Sequence, residues 1–198
     1  ATNEVVYLGG QIFQVNGEQR GHLVAVDARS GITTPWSPRA DDWVSALALG
    51  PGQLFAGGRF RNIGGQPRSF VAGIDLVTGQ ATAFKPAFGS AVQSLVTDGS
   101  RVYVTGISPP VAFDIADSRI SAWNPDIVGS VVYMALSSDV LYVAGLLERV
   151  GGQPRKRVGA VSTVTGKAAE LSLDTTGTLG NFAVSAGKVL ASASGNLI

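Results

Sequence analysis

Apolar and polar positions trade places over short distances along this chain. Four runs set the pattern: Val44 to Leu49, Gln53 to Ala56, Phe70 to Asp75 and Ala81 to Phe84. Each carries apolar residues such as Val, Ala, Leu, Ile or Phe, and they are separated by turn or loop chemistry. Gly50-Pro51-Gly52 separates the first run from the second, and Asp75-Leu76-Val77-Thr78-Gly79 joins the third to the fourth. In the latter turn an Asp carboxylate can accept from nearby backbone N–H groups, and Gly accepts a positive φ. No stretch spaces its apolar residues at the period of a helix, so the pattern predicts short strands joined by hairpins.

The whole unit recurs. Tyr7-Leu8-Gly9-Gly10 returns as Phe55-Ala56-Gly57-Gly58, Tyr103-Val104-Thr105-Gly106, Tyr142-Val143-Ala144-Gly145 and, degraded, Leu190-Ala191-Ser192-Ala193, at offsets of 48, 48, 39 and 48 residues. Asp27 to Gly31 keeps step with Asp75 to Gly79, Asp114 to Ser118 and Ser162 to Gly166. Trp36-Ser37-Pro38 does so with Phe84-Lys85-Pro86, Trp123-Asn124-Pro125 and Leu171-Ser172-Leu173. Val44, Val92, Val131 and Leu179 each follow eight residues after the aromatic or Leu of that block. The third copy lacks nine residues between Gly106 and Asp114.

Four strands in a period of about 40–50 residues is the spacing of a propeller blade. The expected fold is therefore all-β: a β-propeller segment of about four four-stranded blades spanning residues 1–198, with repeats near 5–42, 43–90, 91–129 and 130–178 and a partial one at 179–198. The array starts and stops mid-blade with overlapping strands, which predicts part of a larger ring of roughly 6–8 blades. In such a blade the Gly pair allows close backbone approach near the central channel. The aromatic of Trp-x-Pro wedges between neighbouring blades, and Pro is tolerated because the outer strand is an edge.

Composition narrows the function classes. Charged residues are only 15% of the chain and Gly numbers 26, which suits strands and tight turns. A net charge of +1 gives no reason to expect nucleic acid or an acidic membrane as partner. No apolar run approaches the roughly 20 residues of a membrane helix. With no cysteine, disulfides and thiol chemistry are excluded. The start at Ala1 predicts a processed or excerpted N-terminus.

The second repeat reads Phe55-Ala56-Gly57-Gly58-Arg59-Phe60, then Gly64-Gly65-Gln66-Pro67-Arg68, then Asp75 with Thr78-Gly79; the fourth repeats Gly151-Gly152-Gln153-Pro154-Arg155. This resembles the delta-60 type, kelch-like propeller repeat of secreted bacterial proteins, over nearly the whole chain. The third repeat departs by losing the Gly-Gly-x-x-Arg loop, the fourth at Ser162, Leu171 and Leu173. The resemblance implies an extracellular or cell-surface location. It implies no activity, because the family brings no catalytic motif to transfer.

Candidate ligand-binding residues follow from the loops. Arg20, Arg68 and Arg155 share one repeat position. Guanidinium groups so placed can bind carboxylates or acidic sugars; recurrence also fits bracing of the loop or pairing with Asp27 and Asp75. Trp36 and Trp123 can stack on sugars if exposed, or pack between blades. Arg155-Lys156-Arg157, near Arg149, belongs to the fourth repeat alone and suits either an acidic partner or a solvated face. Asp41-Asp42 and Asp126 form no Asp-x-Asp-x-Asp-Gly calcium loop. His22 is the sole histidine, which gives no His-based metal site. Gly9-Gly10 and its copies lack the Lys-Ser/Thr and helix of a phosphate loop. The expectation is a non-catalytic scaffold without cofactor, presenting loops to protein or polysaccharide. The alternatives are a self-associating structural component of a surface assembly, or an enzyme whose acid and base groups lie in other blades.

Overall fold

A computed structural model describes residues 4–106, 109–171, 178–185 and 188–194. Ser172 and Leu173 of the repeat pattern lie outside these residues, as does Ser108 in the shortened stretch between Gly106 and Asp114. Within them every regular element is a β-strand.

The first unit holds β1 (Val5–Gly9), a hairpin of β2 (Gln14–Val15) and β3 (Glu18–Gln19), and β4 (Leu23–Asp27). The second holds β5 (Val44–Gly50), β6 (Gln53–Gly58), the hairpin β7 (Asn62–Ile63) and β8 (Gln66–Pro67), and β9 (Val71–Asp75). The third, with its shortened loop, has β10 (Ser94–Thr97), β11 (Arg101–Thr105) and β12 (Val111–Asp114). The fourth has β13 (Val128–Ser137), β14 (Val140–Val150), β15 (Gln153–Pro154) and β16 (Val158–Ser162). A partial fifth has β17 (Thr178–Ser185) and β18 (Lys188–Ser194). All pairing is antiparallel, with the second strand central: β5-β6-β9, β10-β11-β12, and β14 between β13 and β16.

The expected fourth strand does not form as a strand. In each of the four units it shrinks to one bridge: Val26 with Thr33, Ile74 with Ala81, Phe113 with Ile120, Val161 with Ala168. In the second unit Asp75 N–H donates to Gln80 O at 2.9 Å and Thr82 N–H to Gly73 O at 2.8 Å. Beyond that the chain leaves the sheet. The aromatic of the Trp-x-Pro block enters the gap between units, and the Pro after it has no N–H to extend a ladder. The turn before the bridge forms as its chemistry dictates: Asp75 Oδ1 accepts from Val77 N–H, Thr78 N–H and Thr78 Oγ1, and Asp27 does the same for Arg29 and Ser30.

The core is not one mass but three apolar slabs, each between adjacent units. Leu54 and Ala56 face back to Leu23 and Trp36 of the first unit. Phe55, between them, faces forward to Val92 and Val102 of the third. Tyr103 does the same toward Val131 and Leu141 of the fourth. Period-two alternation thus sends neighbouring residues of one strand into two different slabs, and the central strands are buried on both faces: Leu54 is 2% exposed, Phe55 and Ala56 0%. First strands of successive units lie side by side, β5 with β10, β10 with β13 and β13 with β17.

An edge-to-face aromatic pair recurs in three units: Tyr7–Trp36, Phe55–Phe84 and Tyr103–Trp123, each with ring centroids 5.0 Å apart. The indole N–H then reaches the next unit, from Trp36 to Asp75 O at 2.9 Å and from Trp123 to Ser162 O at 3.1 Å.

In the second and fourth units the first strand carries an irregularity that bears on the Gly pair. The β5–β6 register shifts between Val44 and Ala46, and the β13–β14 register between Val131 and Tyr133. The displaced Ser45 Oγ donates to Val92 O of the next unit at 2.5 Å. Opposite the lead-in to the first strand sits the second Gly of the pair. A Cβ on Gly58 would stand 2.0 Å from Trp43 O, and one on Gly145 2.0 Å from Ser130 O. The close approach expected of the glycines is therefore, for the second of the pair, to a carbonyl of its own unit, while the first, Gly57, lies against Val92 of the next.

Candidate functional site

The arginine loops are hairpins closed by their own backbone. Arg20 N–H donates to Phe13 O at 2.7 Å, Arg68 N–H to Arg61 O at 2.9 Å and Arg155 N–H to Glu148 O at 3.1 Å. The side chains turn inward. Arg68 Nη1 donates to Pro67 O and Nη2 to Thr82 O, both at 2.9 Å. Arg20 Nη2 donates to Thr34 O at 3.3 Å and contacts Glu18 Oε2. Arg155 Nη1 donates to Pro154 O at 2.9 Å. Arg20 and Arg68 therefore tie the loop to the bridged outer segment, and the Arg20 side chain is only 8% exposed. Neither pairs with Asp27 or Asp75, whose carboxylates are engaged by turn donors. Those turn hydrogen bonds, led by the Ser30 and Thr78 amides, hold both carboxyls below the usual range.

Trp36 is 7% exposed and Trp123 half-buried, each ring engaged by its Tyr and each N–H by the next unit. In the fourth unit Arg149 pairs with Asp126, Nη2 to Oδ1 at 2.9 Å. Lys156 is exposed and Arg157 half-buried, and neither side chain has a hydrogen bond among the described residues. The structure thus does not gather the six sequence-predicted residues into one pocket; they are spread over four units.

It gathers others instead. Asp41, Asp42, Arg59, Arg61, Phe70 and Ala91 line a cleft of about 380 Å³ where the first, second and third units meet. The extended lead-in to β5 brings the two Asp residues, and the end of β6 brings the two Arg residues. Arg59 Cζ lies 5.6 Å from the centroid of Trp43, and Arg61 Cζ lies 4.2 Å from that of Phe70. Trp43 is 41% exposed. Asp41 is fully used: Oδ1 accepts from Arg61 N–H at 2.8 Å and Asn62 N–H at 3.0 Å, and Oδ2 from Asn62 Nδ2 at 2.7 Å. Burial pushes the Asp41 carboxyl up, but the Asn62 and Arg61 hydrogen bonds outweigh it and the net shift is down. Asp42 Oδ1 accepts from Trp43 N–H at 2.7 Å, which leaves Oδ2 to the cleft. Sequence reasoning singled out neither Trp43 nor Arg59 and Arg61 as binding residues. The signal was a break in the repeat: small or unlike residues stand at the matching positions elsewhere.

Among the described residues no three His, Cys, Asp or Glu side chains converge as metal ligands would. His22 is 9% exposed, with a positive φ and its ring edge-on to Phe13 at 5.2 Å.

No protein-family model and no curated protein matches the chain. Solved structures do. The computationally designed Ika8 protein is 12% identical, with a TM-score of 0.60, covering 98% of this chain and 54% of its own. The Mitotic Checkpoint Complex contains a chain 13% identical, with a TM-score of 0.63, covering 86% of this chain and 52% of its own. The extracellular domain of the putative hybrid two component system BT4673 from B. thetaiotaomicron is 13% identical, with a TM-score of 0.63, covering 99% of this chain and 24% of its own. This chain therefore spans about half of Ika8 and a quarter of the BT4673 domain, and at these identities the likeness is one of fold.

Proposed function

We propose that the chain is a segment of a β-propeller that works as a non-catalytic extracellular or cell-surface scaffold, presenting its loops to a polysaccharide or a protein. The observation that carries this reading is the division of labour along each unit. Strand residues are committed to the slabs between units, so chemical variety is left to the connections at the sheet ends. The repeated hydrogen bonds from Trp36 and Trp123 into the following unit support a radial stack of blades. The delta-60 resemblance supports the secreted location, as does likeness to a domain described as extracellular. A stiff frame with variable loops suits recognition, although fold alone assigns no ligand.

A glycan array and a pull-down from surface extracts, both with the 198-residue chain, test it. Binding in either supports the scaffold; silence in both overturns it. A second reading, self-association within a surface assembly, draws on β1, whose strand partner is β4 alone among the described residues. Light scattering that shows a persistent monomer contradicts that reading.

A further inference from the structure

We infer that the cleft formed by Asp42, Arg59, Arg61 and Phe70, with Trp43 at its border, binds a uronate-bearing oligosaccharide. This rests on the scaffold reading above and assigns it a site and a ligand class.

Non-recurrence is the first support. Residues with a duty in the frame return in unit after unit, as Asp27 with Asp75 and Trp36 with Trp123 do. Those of the cleft do not. Asp41-Asp42-Trp43 corresponds to Gly89-Ser90-Ala91 and Val128-Gly129-Ser130; Arg59 and Arg61 correspond to Gln11 and Phe13 in the first unit and to Leu146 and Glu148 in the fourth. Stacking of blades therefore proceeds without them.

The second support is unspent bonding capacity. Neither the Arg59 nor the Arg61 guanidinium makes a hydrogen bond or an ion pair with a described residue, whereas Arg20, Arg68 and Arg155 all donate to protein carbonyls. Each cleft guanidinium sits over an aromatic ring, which restrains it while leaving its N–H donors to a ligand. Two such groups suit a carboxylate.

The remaining partners decide what carries that carboxylate. Asp42 Oδ2, free beside the arginines, repels a bare anion but accepts from a hydroxyl. Trp43, 41% exposed, offers an apolar face with a polar edge, suited to the C–H face of a pyranose. A carboxylate, hydroxyl donors and a flat apolar face together describe a uronic acid. A cleft of about 380 Å³ lies in the range of small-ligand sites.

The test is isothermal titration of the chain with trigalacturonate in EDTA, beside its methyl ester and a glutamate-rich peptide. Trigalacturonate should bind, and the methyl ester should bind about tenfold more weakly or worse, having lost its charge-assisted hydrogen bonds. Arg61→Gln and Arg59→Gln should each weaken trigalacturonate about tenfold. Asp42→Asn should weaken both the free and the esterified sugar. Arg119→Gln, on a side chain 84% exposed, should change nothing. Near-ultraviolet circular dichroism of the buried Trp36 and the half-buried Trp123 verifies folding of each variant, and Trp43→Ala gives an independent loss of affinity should an arginine variant unfold. Absence of trigalacturonate binding, equal binding in the Arg59→Gln/Arg61→Gln double variant, or tighter binding of the peptide each overturns the inference. If the glycan array reports a ligand that the double variant still holds, this site falls while the scaffold reading stands. If the array and the pull-down are silent, both fall.

Discussion

Replacing Gly58 by Ala should destabilise the chain severely, and replacing Gly10 by Ala should not, although the two glycines occupy one repeat position. At Gly58 the added methyl group would stand 2.0 Å from Trp43 O, where ordinary contact begins near 3.4 Å. The obstacle is backbone and cannot rotate away. That carbonyl also accepts the Arg59 N–H at 2.8 Å, so relaxation must open the bulge and stretch a hydrogen bond. Overpacking usually costs about 1–3 kcal/mol, and with a strained hydrogen bond added we place Gly58→Ala near ~3 kcal/mol. For a chain of this size about 2–4 °C of melting temperature goes with each kcal/mol, which gives a fall of about 6–12 °C. At Gly10 the nearest atom is Ile12 Cγ1 at 3.6 Å, ordinary contact, because no described strand precedes β1 in its sheet. Gly10→Ala should move the midpoint by less than about 4 °C, since only chain entropy changes. Thermal unfolding followed by circular dichroism measures both. A Gly58→Ala midpoint no lower than that of Gly10→Ala would refute the reasoning.

Three further outcomes follow from the same geometry. Trp123→Phe keeps the ring against Tyr103, as Phe84 does against Phe55, but loses the hydrogen bond to Ser162 O; chemical denaturation should show a loss of about 0.5–1.5 kcal/mol, and no loss would mean the inter-unit bond is not formed. Arg68→Met keeps the stem of the side chain and removes two hydrogen bonds to carbonyls; its melting temperature should fall, and an unchanged one would show that the loop needs no brace. The Asp75 carboxyl is held below its ordinary 3.8 by turn donors, so its stabilising contribution is complete above that value and disappears as pH falls through the lowered folded-state value. Asp75→Ala should therefore be less stable than the parent at pH 7, with the gap narrowing in strong acid; a gap that widens in acid would contradict the hydrogen-bonding scheme.

The frame was legible in the sequence because its chemistry must recur. The Asp or Ser turns, the wedge aromatics of three units and the second glycines Gly58, Gly106 and Gly145 solve local problems that return along the chain, so lining the chain up with itself exposes them. The fourth strand was misjudged for a physical reason. Ala81 to Phe84 alternates like a strand, but Phe84 is drawn into the gap between units and Pro86 cannot donate, so a single bridge remains. Pairing of the loop arginines with Asp27 and Asp75 also failed. Those carboxylates are satisfied within their own turns, which leaves the arginines to reach backbone carbonyls. The Asp42–Arg61 cleft is hidden in the sequence for the opposite cause: its residues occur once, and recurrence marks only what returns. The hairpin through Gly50-Pro51-Gly52 already sets the end of β6 opposite the lead-in to β5, but only the fold brings Phe70 and Ala91 to the same cleft.

The claim beneath all of this is that neighbouring units seal apolar slabs, with an indole from one unit bonded to the backbone of the next. Hydrogen exchange of the three tryptophan indole N–H groups, read by nitrogen-15 NMR on the chain, tests it most directly. The account predicts strong protection for Trp36 and Trp123 and rapid exchange for Trp43. Equally rapid exchange at all three would contradict it.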